Sequence, residues 1–68
     1  MTDKELLDEY IKKSGLKLSF IAEKLGITIQ SLNNKRNNLS SFKAAEIYLL
    51  CDLLNIGEDK DKIFCPKG

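Results

Sequence analysis

The chain has 68 residues, 43% of them hydrophobic and 31% charged, with a net charge of +1, so it holds one domain with a small core. No apolar run approaches the ~18 residues of a membrane span and no signal-peptide core opens the chain, so a cytoplasmic protein is expected. With no histidine, no nucleophile beside a base, no clustered carboxylates and no phosphate loop, neither an enzyme nor a cofactor, metal or small-molecule site is expected.

The spacing predicts a first helix over about residues 3–14. Thr2 and Glu5 fit a capping box, Leu6, Leu7, Tyr10 and Ile11 share one face, and Gly15 stops the helix. Tyr10 and Tyr48 read as packing residues with a wet hydroxyl. A short second helix is expected over 18–25, burying Ile21, Ala22 and Leu25 and ending at Gly26. Thr28 is a good N-cap for a third helix over 29–36. Its apolar positions are few, Ile29 and Leu32, with Ile27 just before. Asn37 and Asn38 suit its end, because asparagine tolerates the left-handed conformation. Residues 39–42 read as a loop. A fourth helix is expected over 43–54, with Ser41 as a possible earlier cap and a core stripe of Ala44, Ile47, Leu50, Cys51 and Leu54. A fifth is expected over 58–64, with residues 65–68 as a frayed tail. There is no strand signal, so the fold class is all-α, a compact bundle of five short helices.

Two cysteines, Cys51 and Cys65, are too far apart for a CxxC site and read as a reduced core residue and a free thiol. The charge is unevenly placed. Residues 15–43 carry Lys17, Lys24, Lys35, Arg36 and Lys43 against Glu23 alone, a local +4, while both flanks are mildly acidic. A basic middle concentrates the field on one part of the surface.

Two short helices joined through a glycine, the second polar, have the sequence form of a helix-turn-helix. On the stretch FIAEKLGITIQSLNNKRNN, the chain resembles the Cro/phage-repressor family, the xenobiotic-response-element type of small bacterial and phage regulators. That family keeps apolar or small residues at the positions of Ile21, Ala22, Leu25, Gly26, Ile27 and Leu32, and an apolar residue where Lys35 stands. The stem of Lys35 is expected to cover the core while its amine reaches water or phosphate. Lys17 and Leu18 depart from the family's usual opening of the second helix. Phe20, at a position often charged, is expected to pack against the loop near Leu39 or Phe42.

The resemblance implies a lambda-repressor-like DNA-binding domain over the single unit 1–68, with the third helix in the major groove of an operator. It implies base contacts from Thr28, Ile29, Gln30, Asn33, Asn34 and Asn37. Amide side chains match the N6 and N7 of adenine bidentately, so a half-site with A·T pairs is expected. Lys17, Lys35, Arg36, Asn38, Ser40, Ser41 and Lys43 are the expected phosphate contacts. The resemblance also implies a homodimer, with Leu49, Leu53, Ile56, Ile63 and Phe64 as candidate interface residues. The competing expectation is a small protein-interaction module of antitoxin or antirepressor type, using the same helices without DNA.

Overall fold

Five side chains, one from each of five helices, meet at the centre of the molecule: Leu7, Ile21, Leu32, Leu50 and Ile63 are all fully buried. The computed structural model describes residues 2–65. Its helices are α1 (Lys4–Ser14), α2 (Leu18–Leu25), α3 (Ile29–Arg36), α4 (Ala44–Leu54) and α5 (Lys60–Phe64). Among the described residues there is no strand and no helix long and apolar enough to cross a membrane. α2 packs on α3 and α4, and α1 packs on α4 and α5. Each fully buried aliphatic side chain contributes roughly 1.5–3 kcal/mol, so this five-way meeting point carries a large part of the stability.

The helix ends follow from specific residues. Gly15 and Gly26 sit in the left-handed region, with φ of 71° and 72°. At Gly26 the chain reverses through two backbone bonds, Gly26 N to Glu23 O and Ile27 N to Ala22 O, both 3.0 Å. That pattern satisfies the last carbonyls of α2 and aims the chain into α3 within three residues. Asn38 and Asn55 take the same conformation, with φ of 63° and 55°, after α3 and α4. Asn37 does not: its φ is −90°, so the left-handed stop of α3 rests on Asn38 alone.

Three expectations are corrected here. Asp3, not Thr2, caps α1, accepting a hydrogen bond from Leu6 N at 3.1 Å. Thr2 is instead buried. Its N–H donates to Asn38 Oδ1 at 2.6 Å and its carbonyl accepts from Asn38 Nδ2 at 2.9 Å. α5 starts at Lys60 rather than 58. Phe20 is exposed, with Lys24 Nζ 5.3 Å from its ring centre; Leu39 is exposed as well, and Phe42 packs edge-on against Phe64 at 5.6 Å. Of the expected tail, only Cys65 is described, as an exposed free thiol; positions 66–68 lie outside the described residues. Cys51 packs against the core, and burial pushes its thiol up, a shift slightly offset by Lys60.

Candidate nucleic-acid interface

α3 begins with a working cap: Thr28 Oγ1 accepts from Ser31 N at 3.0 Å. The buried residues of the helix are Leu32 and Lys35. A lysine on the inward face needs an opposite charge, because a lone buried ammonium is very costly. α4 supplies it. Lys35 Nζ lies 2.6 Å from Glu46 Oε1, and the two residues are only 8% and 7% exposed. The same oxygen accepts from Lys43 N at 2.8 Å and closes the start of α4. Burial pushes the Glu46 carboxyl up, but the bonds from Lys35 and the Lys43 N–H outweigh it and hold it below the usual glutamate range. The expected reach of the Lys35 amine to phosphate is therefore corrected: it is spent on Glu46.

Arg36 is also turned inward. Its Nε and Nη2 donate to Asp8 Oδ1 on α1 at 3.0 and 2.6 Å, and its Nη1 donates to Asn33 Oδ1 at 2.6 Å. The other oxygen of Asp8 takes Lys4 Nζ at 3.0 Å. Burial raises the Asp8 carboxyl, yet the hydrogen bonds from Arg36 and Lys4 bring it below the usual aspartate range. Arg36 thus ties α3 to α1 rather than lying open for a phosphate.

The asparagines divide by role. Asn38 bridges the backbone of Thr2 through both ends of its amide, so it too is withdrawn from the phosphate set. Asn37 Nδ2 donates to Asn33 O at 2.9 Å and covers a carbonyl near the end of α3. The Asn34 carbonyl accepts from Leu39 N at 2.8 Å, while no hydrogen bond is recorded for its half-buried side chain. Among the base-contact candidates, Thr28, Ile29, Gln30 and Asn37 are exposed, and Asn33 and Asn34 are half-buried. Ile29 is 45% exposed, high for an isoleucine on an ordered helix. Among the phosphate candidates, Lys17, Ser40, Ser41 and Lys43 are exposed. Lys17 and Lys43 precede α2 and α4, so two ammonium groups stand at the starts of the helices that flank α3.

The dimer candidates are mostly spent on the fold. Ile56, Ile63 and Phe64 are buried in the core, which corrects their assignment to an interface. Leu53 is half-buried against the core and Leu49 is exposed. The Tyr10 hydroxyl donates to Asp59 Oδ2 at 2.6 Å, which raises the phenol and lowers the carboxyl.

Among the described residues, no three His, Cys, Asp or Glu side chains come together to hold a metal ion. No family model, curated protein or solved structure matches the chain.

Sequence reasoning missed Asp8, Glu46 and the Thr2 backbone as partners of the basic and amide residues. Periodicity assigns faces to helices but not partners across 11, 28 or 36 residues. One signal was available: Lys43 and Glu46 have capping-box spacing, which placed a carboxylate at the start of α4.

Proposed function

We propose that the chain is a sequence-specific DNA-binding regulator that occupies an operator, as a phage- or prophage-type repressor or a Cro-like protein does. α2 and α3 are read as its helix-turn-helix, with the outer face of α3 in the major groove. The observation that carries this reading is the contrast within α3. Its inward side is anchored by Leu32 and the Lys35–Glu46 pair. Its outward side carries Gln30 and the hydroxyl of Thr28, beside an exposed Ile29 and a half-buried Asn34. A solvated helix surface has no need of asparagine, which is a weak helix former. A helix that hydrogen-bonds base edges uses its amide directly.

The roles change from the sequence expectation. Gln30, Asn33, Asn34 and Ile29 are the base readers, with Ile29 against a thymine methyl. Lys17 and Lys43, with Ser40 and Ser41, are the phosphate contacts; Lys35 and Arg36 hold the helix in place. Titration of a fluorescent duplex across a range of salt concentrations tests the reading. Binding should weaken with salt, and Lys17→Ala or Lys43→Ala should each reduce the logarithmic salt slope by about 0.9. Gln30→Ala should weaken a selected site by about 1–3 kcal/mol more than random DNA. Failure to bind any duplex at low salt refutes the reading.

A second reading is favoured by one observation. Both cations of α3 are neutralised within the molecule, by Glu46 and Asp8, as suits a protein-interaction module of antitoxin or antirepressor type. The same titration separates the two.

A further inference from the structure

Asn33 does not present a whole amide to its surroundings. A guanidinium only donates, so the Asn33 atom 2.6 Å from Arg36 Nη1 is necessarily the oxygen. The nitrogen then lies on the other side of the amide, away from Arg36. No partner is recorded for that nitrogen, and no buried side-chain polar atom among the described residues lacks one, so Asn33 Nδ2 reaches solvent. Arg36 cannot easily let the oxygen go. Asp8 holds it through two bonds to one carboxylate oxygen, and Lys4 holds the other. Rotating the amide would break a charge-assisted hydrogen bond.

We propose that Asn33 selects guanine rather than adenine, because the Asp8–Arg36 clamp turns its acceptor inward and leaves it a donor only. This rests on the reading of α3 as a major-groove helix. A free asparagine pairs with adenine by accepting from N6 and donating to N7. With its oxygen committed to Arg36, Asn33 can perform only the second half. Guanine offers two acceptors side by side, N7 and O6, and the two hydrogens of Nδ2 can serve both. Thymine offers O4 alone. The amino groups of adenine and cytosine set a donor against a donor. Arg36 is thus a positioning residue, which acts on the base through Asn33, and Asp8 acts through Arg36. The half-site becomes mixed: A·T pairs under Gln30 and Asn34, and a G·C pair under Asn33.

The test is selection of bound duplexes from a randomised pool with the full 68-residue chain, followed by sequencing, for wild type and two variants. Asn33→Asp keeps the shape and an acceptor for Arg36 but removes the donor. Arg36→Met removes the clamp and frees the amide. Wild type should enrich guanine over adenine about tenfold at one position, the difference of one good contact. That enrichment should vanish at that position alone in Asn33→Asp. In Arg36→Met it should fall to about twofold or less, with adenine now accepted. Melting by circular dichroism checks that Arg36→Met is folded; if it is not, Asn33→Asp decides alone. Adenine enriched at the Asn33-dependent position, or no position dependent on Asn33, overturns the inference while DNA binding stands. So does Arg36→Met with an unchanged preference and a uniform loss of affinity, which would make Arg36 a phosphate contact. A wild-type chain that binds no duplex overturns the DNA-binding reading itself.

Discussion

Lys35→Met is the most informative single change to the fold. The Lys35 and Glu46 side chains are 10% and 9% exposed, and their charged atoms are 2.6 Å apart. Methionine replaces the stem well, so little packing is lost. What remains is a nearly buried Glu46 carboxylate whose only other bond is to Lys43 N. Removing one partner of such a pair costs roughly 3–5 kcal/mol. A domain of this size has a total stability of only about 3–10 kcal/mol, so Lys35→Met should be at the edge of folding. Thermal and urea melts by circular dichroism should show the midpoint falling by more than about 12 °C. The companion is Lys35→Met with Glu46→Met. Without any buried charge, most of the loss should return, less about 1 kcal/mol for the missing bond at the start of α4. A loss below about 1 kcal/mol in the single variant, or no recovery in the double, would refute the assignment of Lys35–Glu46 as a desolvated pair.

Three further outcomes are expected. Asn38→Ala loses both bonds to Thr2 and must hold a φ of 63°, so it should cost about 2–3 kcal/mol in urea melts, with Asn38→Gly about 1 kcal/mol less harmful; equal losses would show that backbone conformation is immaterial there. Asp8 and Glu46 both have carboxyls held below their usual range, so the unfolded chain binds their protons first as the pH falls. Their contribution is complete above the unfolded carboxylate range near pH ~4 and is lost as the pH falls through the lower folded values; a urea midpoint that stays constant from neutral pH to about pH 3 would contradict this. Tyr10 donates to Asp59, which raises its phenol, so ultraviolet titration at alkaline pH should show a late tyrosinate transition that disappears in Tyr10→Phe.

The sequence carried the local features of the fold well and its long-range ones poorly, for a physical reason. Thr28, Gly15 and Gly26 act on atoms a few residues away, and their chemistry allows few alternatives. The core positions on α1 and α2, and all of those on α4 except Ala44, were readable because a buried stripe repeats at helical spacing; Ala44 is exposed. The asparagines misled. An amide at the end of a helix can face a base, bond its own backbone or bridge to another segment, and the choice depends on what lies opposite. Asn38 faces Thr2, Asn33 faces Arg36, and Arg36 faces Asp8. Lys35 was anomalous only against an expectation of an apolar residue; Glu46, 11 positions on, removes the anomaly by supplying the counter-charge that burial demands.

The backbone bond from Asp3 N to Ile63 O, 2.7 Å long, brings the two ends of the described chain side by side. The molecule is close to a ring in space, with its seam far from α3 in sequence. A short Gly/Ser linker across that seam, with new ends opened in the exposed stretch at 40–41, would leave all five helices uncut. Such a permutant would put Glu46 near the start and its partner Lys35 near the end of the new order while preserving their contact. Whether α3 still presents the same face would then depend on tertiary packing alone, not on chain order.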